Sequence, residues 1–401
     1  MPDDNLKLDN CVKCSDCNAA CPVFKAYPAY PGPKSLGPDM ERFRREGVDS
    51  DTDWVEYCMG CHRCDVACPH GVNVSELIAA GKGGHNKTGA RALRDHWFAR
   101  PSVVGKLCSS TVPFSNLMLN LKPNRWMMSA LAQINASRKL PAYSEHPLHS
   151  VPGPEAASPE VVFFPGCFIR YNKPFIGRIV INLLRLNGFS VHVAPGNCCG
   201  MPALANGDAA QWTSCVEANV NAMMPRVERG ARIVAACTSC GYAFKGDYGQ
   251  APVRDAVLAT SARKLSHATY DLAELLVELL DAGRLNINFS PAKRKLAYHA
   301  PCHLKSQGIG RPWLQLLRAI PDIEIEEIKA DCCGMAGTYG FKNEKYQISM
   351  DIGRDLLEGI EQFHPEMVVT ECGSCQMQIE HGTHLPTVHP AEILAAAYSG
   401  Q

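Results

Sequence analysis

Twenty cysteines in a chain of 401 residues are the feature of this sequence that most directly indicates chemistry. Thiolates bind iron and zinc, and pairs of thiols form disulfides, so spacing has to decide between these uses. All but two of the cysteines fall into four groups. Cys108 and Cys215 have no partner at a metal-binding spacing, which predicts free structural thiols.

Two groups near the N-terminus share the spacing C-x2-C-x2-C-x3-C-P. This spacing is typical of bacterial ferredoxins with two clusters, in which three close thiolates hold one cube and the fourth binds the other. The proline that follows each run keeps the chain from folding back over the site. The predicted ligands are Cys11, Cys14, Cys17 and Cys68 for one [4Fe–4S] cluster, and Cys58, Cys61, Cys64 and Cys21 for a second.

Structural zinc and disulfides are the alternatives for these two runs. Zinc favours C-x2-C pairs that supply four ligands, whereas each run here offers three thiolates plus one. Disulfides suit small secreted domains, and the acidic start of this chain lacks the positive and apolar regions of a secretory signal. We therefore expect a reducing, cytoplasmic setting and iron–sulfur clusters.

The other two groups are copies of each other. Each has a single cysteine, then Cys-Cys-Gly, then C-x2-C, and the copies lie about 135 residues apart at all five positions. A constant offset indicates an internal duplication. The predicted sites are Cys167, Cys198, Cys199, Cys237 and Cys240 in the first copy, and Cys302, Cys332, Cys333, Cys372 and Cys375 in the second.

The segments around these copies predict two α/β domains. Short apolar stretches at 161–164, 190–193 and 233–236 indicate strands that end near the cysteines, a helix is predicted over 176–186, and strands at 295–298, 323–328 and 367–370 repeat the pattern. Open α/β sheets place ligands beyond the carboxyl ends of their strands. Buried core cysteines or zinc are the alternative, although core packing does not require five matched pairs of thiols.

The predicted fold is multidomain: an α-helical ferredoxin with two [4Fe–4S] clusters followed by two duplicated α/β CCG domains. The segment 22–57 between the two runs exceeds a compact β-hairpin, and its residues 39–46 have a helical pattern. The predicted boundaries are 1–95 for the ferredoxin, 96–155 for an amphipathic linker, 156–285 for the first CCG domain and 286–401 for the second.

The cysteine pattern resembles the CCG domain of heterodisulfide reductase B-subunits and of the iron–sulfur subunits of glycolate and lactate oxidases. Further motifs resemble the iron–sulfur C-subunits of anaerobic glycerol-3-phosphate dehydrogenases. These motifs are Pro31-Gly32-Pro33-Lys34, Gly37-Pro38-Asp39 with Glu41-Arg42, Tyr298-His299-Ala300-Pro301-Cys302-His303, and the segment from Cys332 to Lys342.

The resemblance implies a non-catalytic electron-transfer subunit of an oxidoreductase complex in anaerobic respiration on glycerol. It implies flavoprotein dehydrogenase subunits as partners, membrane quinone as acceptor, and peripheral attachment to the cytoplasmic face of the bacterial inner membrane. It also implies one or two further clusters, of a non-cubane [4Fe–4S] type, in the CCG domains. The alternatives are the iron–sulfur subunit of a glycolate or lactate oxidase and a heterodisulfide reductase-like subunit.

The two copies differ beside their first cysteine. His299 and His303 flank Cys302, where the first copy has Phe164 and Phe168. Histidine titrates near neutral pH and quinone reduction consumes protons, so we hypothesise that the second CCG site is wetter, handles protons and lies near the acceptor. The alternative is that both rings form hydrogen bonds with nearby backbone.

Other residues next to the motifs have predicted supporting roles. We expect His62 and His70 at the surface or just beside the second run. Small residues would let backbone N–H groups approach the sulfurs, with ordinary tight turns as the alternative. The glycines concerned are Gly60, Gly200, Gly334 and Gly373.

The linker carries an amphipathic pattern. Apolar residues follow a helical spacing on both sides of Pro123, with tryptophans, lysines and an arginine interspersed. Such helices lie in a bilayer interface in some proteins, and more often they pack against a core. The apolar positions are Phe114, Leu117, Met118, Leu121, Met127, Leu131 and Ile134.

Composition and hydropathy bear on three further possibilities: nucleic-acid binding, membrane-spanning helices and dinucleotide cofactors. Forty basic and forty acidic side chains cancel, so we expect no nucleic-acid partner. No apolar run reaches the roughly 20 residues of a membrane helix, so any membrane contact would be peripheral. A glycine-rich dinucleotide loop is missing, so we do not expect NAD or FAD in this chain.

Overall fold

The computed structural model describes residues 7–48, 51–85, 87–149, 159–253 and 255–399. The predicted boundary between the linker and the first CCG domain, at residues 155 and 156, lies outside these ranges. The two predicted runs, both CCG copies and most of the linker lie within them.

The N-terminal part is helical, as predicted: residues 7–48 and 51–85 contain no β-strand. The helix expected at 39–46 spans Met40–Arg45 and continues a π-helical turn at Ser35–Asp39. Proline is well tolerated at the first position of a helix, so one helix begins at Pro22, directly after Cys21. The helices are α1 (Asp16–Ala20), α2 (Pro22–Ala26), α3 (Met40–Arg45), α4 (Arg63–Val66) and α5 (Val74–Gly84).

The segment 89–132, which begins before the predicted linker (96–155), forms four short helices that we call the linker helices. Each break falls at or next to a proline, whose missing N–H is unsuited to a helix interior. The helices are α6 (Gly89–Phe98), α7 (Pro101–Ser110), α8 (Phe114–Asn120) and α9 (Lys122–Ala132).

Two four-stranded parallel sheets follow, and they have the same topology. The order is β2-β1-β3-β4 in the first sheet and β6-β5-β7-β8 in the second. The predicted duplication is therefore confirmed in the fold. The strands are β1 (Glu160–Phe164), β2 (Ser190–Val193), β3 (Arg232–Ala235), β4 (Thr269–Asp271), β5 (Arg294–Tyr298), β6 (Ile323–Glu327), β7 (Met367–Val369) and β8 (Thr387–Val388).

Helices connect the parallel strands on both faces of each sheet. In the first CCG unit they are α10 (Gly166–Tyr171), α11 (Pro174–Leu186), α12 (Met201–Ala205), α13 (Ala209–Val227), α14 (Thr238–Tyr242), α15 (Ala256–His267) and α16 (Leu272–Asp281). In the second unit they are α17 (Cys302–Gln307), α18 (Pro312–Arg318), α19 (Tyr346–Phe363), α20 (Gly373–Thr383) and α21 (Pro390–Ser399).

The largest hydrophobic core is shared between the two CCG units, joining Phe163 and Leu276 of the first to Tyr298 and Trp313 of the second. The helix contacts across it are reciprocal: α11 packs on α21, and α16 packs on α18. Since α11 corresponds to α18 and α16 to α21 in the duplication, the two units face each other about a pseudo-two-fold axis.

Candidate iron–sulfur sites

The first ligand set predicted for the ferredoxin lines one surface cleft. Cys11, Cys14 and Cys17 reach it from the loop before α1 and from α1 itself, and Cys68 reaches it from the loop after α4. Cys14 is exposed. The backbone N–H of Val72 donates to the Sγ of Cys68 at 3.4 Å. We call these four cysteines the first cluster site.

The second ligand set is more deeply placed. Burial raises the pKa of the Cys64 thiol well above its usual range, and Asp65, Cys61, Cys58 and Cys21 add to the effect through their negative charge. Cys21 therefore lies close enough to the second run to affect the pKa of the Cys64 thiol. We call Cys21, Cys58, Cys61 and Cys64 the second cluster site.

The first CCG site lies beyond the carboxyl ends of β1, β2 and β3, where the strand order reverses. Its thiols lie close enough together to shift one another's pKa values. Interactions with Cys198 and Cys240 lower the pKa of Cys199 to about 6, whereas the pKa values of Cys167, Cys198 and Cys240 lie well above the usual range. The fifth cysteine of the site is Cys237.

The second CCG site repeats this arrangement beyond β5, β6 and β7. Hydrogen bonds with Cys302 and Cys333 hold the pKa of Cys332 well below its usual range. A bond with Cys375 lowers the pKa of Cys372 to about 6. The pKa values of the other three thiols, Cys302, Cys333 and Cys375, lie well above the usual range.

The glycine after each cysteine pair directs a backbone N–H at a sulfur, as predicted for these two positions. The N–H of Gly200 donates to the Sγ of Cys198 at 3.4 Å, and that of Gly334 donates to the Sγ of Cys332 at 3.3 Å. Both glycines have a positive backbone φ, +91° and +87°, which residues other than glycine rarely adopt. Donors of this kind stabilise thiolates that bind a metal.

The second cluster site meets the second CCG site directly. The hydroxyl of Ser306 donates to the carbonyl of Cys61 at 3.2 Å. Arg63 binds Asp331, the residue before Cys332, through its carboxylate at 2.8 Å and its carbonyl at 2.7 Å. No local motif indicates this pair, because the two residues are 268 positions apart.

The two CCG sites also meet. The hydroxyl of Ser239, in α14, lies 3.9 Å from the Sγ of Cys372. His303 bonds through Nδ1 to that hydroxyl and through Nε2 to the carbonyl of Gly60, both at 2.9 Å. His303 therefore links the ferredoxin part to both CCG units. The alternative considered for His303 was hydrogen bonding with nearby backbone. Of its two hydrogen bonds, the one with Gly60 is of this kind.

The burial of His299 does not match a wetter second site. Its side chain is fully buried, and burial, followed by the charge of Lys305, lowers its pKa to about 3. His62, expected at the surface or just beside the second run, is not at the surface: it is buried between Asp65 and Asp247. Burial opposes protonation of His62, but these carboxylates raise its pKa to about 9.

These residues fit iron–sulfur clusters. One surface cleft is lined by four thiols, and each CCG site gathers five thiols with a backbone donor aimed at one sulfur. The twenty cysteines are all free thiols. No helix in the described parts of the chain has the length and apolarity needed to cross a bilayer.

Comparisons with known proteins agree with this picture. Residues 7–72 match the model of a 4Fe-4S dicluster domain, and residues 161–245 and 296–380 each match that of the CCG cysteine-rich domain. The C-subunit of the anaerobic glycerol-3-phosphate dehydrogenase of Escherichia coli K12 is 34% identical, over 98% of this chain and 99% of that protein.

More distant relatives match over nearly the whole of this chain. The B-subunit of the fumarate reductase (CoM/CoB) of Methanothermobacter marburgensis is 27% identical, over 99% of this chain and 73% of its own length. The glycolate oxidase iron–sulfur subunit of Escherichia coli K12 is 25% identical, over 97% of this chain and 94% of its own length.

Fold and sites together define an iron–sulfur protein built from a 4Fe-4S dicluster domain and a pair of CCG domains. Within that class, the chain belongs to the family of the C-subunits of anaerobic glycerol-3-phosphate dehydrogenases.

Proposed function

We propose that this chain is the electron-transfer subunit of a glycerol-3-phosphate dehydrogenase complex, between flavoprotein subunits and membrane quinone. The first and second cluster sites each hold a [4Fe–4S] cluster, and the two CCG sites hold further clusters. When bound, such clusters accept and release single electrons, which suits the output of a flavin. The proposed domain limits are those predicted from the sequence.

The contact between the second cluster site and the second CCG site carries this proposal. Ser306 and Arg63 join these two sites, and Ser239 joins the second CCG site to the first. The thiol groups therefore follow one another from the exposed first cluster site into the paired CCG units. We propose that the flavoprotein docks at the exposed end, where Val12 is 62% exposed.

The linker helices support peripheral attachment to a membrane, for which we propose the cytoplasmic face of the inner membrane. Apolar side chains on consecutive helices are exposed, with Lys106 and Lys122 also exposed among them. A cationic, apolar helical surface suits the interface of an anionic bilayer. The exposed residues are Trp97, Val103, Leu107, Phe114, Leu117, Met118, Leu121, Trp126, Met127 and Leu131.

The linker helices and the segment that follows them contact both CCG units. In α7, Gly105 packs directly against the ring of Tyr171, in the helix that carries Cys167. The segment after α9 pairs with the second unit through Ile134 and Lys342. The quinone would therefore be reduced at the CCG pair, and the placement of the acceptor at the second site remains a prediction.

Metal analysis of the full chain, purified without oxygen, tests the cluster assignment. Two [4Fe–4S] clusters require about eight iron atoms with matching sulfide, and occupied CCG sites add to that number. Zinc in place of iron would overturn the proposal.

Mössbauer spectra of serine variants test whether the two runs share ligands. We expect Cys68→Ser to alter the same cluster as Cys14→Ser, and Cys21→Ser to alter the same cluster as Cys61→Ser.

Reconstitution with the flavoprotein subunits tests the role in the complex. We expect quinone reduction that depends on glycerol 3-phosphate and on this chain. Activity with glycolate or lactate instead would assign the chain to the related oxidases, and reduction of a disulfide substrate by the isolated chain would favour a heterodisulfide reductase-like role.

A further inference from the structure

His299 lies against the thiols of the second CCG site, and neither of its ring nitrogens has a hydrogen-bond partner among the described residues. A ring nitrogen of His299 and the sulfurs of Cys333 and Cys375 all lie within 4.8 Å of one another. The backbone N–H of His299, directly after β5, donates to the carbonyl of Val369 at 3.0 Å, so the end of β7 holds the residue in place.

The missing partners are unusual for a buried imidazole, which offers a donor and an acceptor. Among the described residues, the other buried histidines are His62 and His389. The Nδ1 of His62 bonds to Asp65 at 2.9 Å, and the Nε2 of His389 bonds to the carbonyl of Ala236 at 2.8 Å. His299 is therefore polar, buried and directed at sulfurs, with nothing else to bind.

The first copy lacks this group. Phe164 holds the matching position at the end of β1 and is also fully buried. Its ring packs edge-on against Phe244, with centroids 4.7 Å apart, and offers no lone pair. Each CCG site thus has five thiols of its own. The second site also has the imidazole of His299 where the first has the phenyl ring of Phe164.

We propose that a ring nitrogen of His299 is an iron ligand of the cluster in the second CCG site, where it takes the place of one of the five thiolates. The proposal rests on the proposed occupation of that site. A neutral imidazole is a common metal ligand, and a nitrogen ligand in place of a thiolate removes negative charge from the iron. Histidine ligation raises the reduction potential of iron–sulfur clusters. The second CCG site therefore has a higher potential than the first.

Pulsed EPR on the full chain labelled with 15N-histidine, purified without oxygen and reduced, tests this ligand. We expect a strong nitrogen hyperfine coupling on a signal that Cys333→Ala removes. The coupling is lost in His299→Phe, which copies the first site, and the reduction potential of that signal falls. His303→Phe is the matched control, because the first copy has Phe168 there, and it should retain the coupling.

The outcomes separate the two proposals. A cluster signal from the second CCG site without strong nitrogen coupling overturns the ligand and leaves the electron-transfer role intact. Loss of the coupling in His303→Phe but not in His299→Phe also overturns it. Iron analysis that finds no cluster in this site overturns both its occupation and the ligand. His299→Asn, close in size, replaces the phenylalanine variant if that variant does not fold.

Discussion

At the scale of single residues, the glycine after each cysteine pair sets how near the backbone comes to the sulfurs. A Cβ on Gly334 would overlap the carbonyl oxygen of Ser349 in α19, and it would also crowd the N–H of Gly353. Gly337, three residues further on, has a positive φ of +63° but nothing within 4 Å of such a Cβ. The two positions therefore separate backbone strain from steric overlap.

We predict that Gly334→Ala loses iron from the second CCG site and lowers the urea midpoint more than Gly337→Ala. The second variant meets only the left-handed backbone penalty of about 1–2 kcal/mol, whereas the first must also push the loop away from α19. Iron per chain and urea unfolding measure both effects. Equal losses in the two variants would show that the contact with Ser349 is unimportant.

The residues that could be predicted from the sequence are those whose signal is local. The spacing of Cys11 to Cys21 and the repeated offset of the CCG cysteines need no knowledge of the fold. Asp331 has no such signal, because its partners Lys25 and Arg63 come from another part of the chain. The complete burial of the His299 side chain could not be predicted either, since it depends on packing around the end of β5.

At the scale of elements, the linker helices expose more apolar surface than core-packing helices do. Phe114 and Trp126 are 64% and 73% exposed. The pattern of the sequence was compatible with a core or with a membrane interface, and only the structure shows these side chains at the surface. The linker helices are interrupted at or near prolines. From the sequence pattern alone, only the interruption at Pro123 could be predicted.

We predict that the triple variant Phe114→Ser, Leu117→Ser and Trp126→Ser binds phosphatidylglycerol vesicles at least about ten-fold more weakly. Full burial of one such side chain contributes about 1.5–3 kcal/mol, and ten-fold corresponds to about 1.4 kcal/mol, so partial insertion suffices. Vesicle flotation measures the change. Val257→Ser, at an exposed apolar site in α15, is the control and should bind normally. Equal flotation of the triple variant would rule out this surface as the anchor.

Between domains, largely buried ionic groups join α6 to the second CCG unit. Asp95 of α6 pairs with Lys342 at 2.9 Å, and Arg94 pairs with Glu344 at 2.8 Å. Burial would raise the pKa of Asp95, but Lys342, Arg94 and Lys87 together hold it well below the usual range. A depressed carboxyl pKa gives stability that is present at neutral pH and is lost as the pH falls below the ordinary carboxyl range.

We predict that Asp95→Asn destabilises the chain by about 3–5 kcal/mol at neutral pH, because it leaves Lys342 buried without its counter-charge. Arg294→Gln removes one partner of the exposed pair with Glu366 and should cost less than about 1 kcal/mol. Urea unfolding of both variants checks the difference. A similar shift in the two midpoints would mean that the buried pair contributes no more than the exposed one.

The pseudo-two-fold arrangement of the CCG units has a consequence for shorter chains. In a polypeptide with only one CCG unit, the counterparts of α11 and α16 would lie on the same face. That face would carry both helices of the reciprocal contact. Such a face is self-complementary, so two copies would close into a homodimer with identical metal pockets. Fusing the copies removes the dependence on protein concentration. It also lets each pocket acquire its own chemistry, as phenylalanine in one and histidine in the other already illustrate.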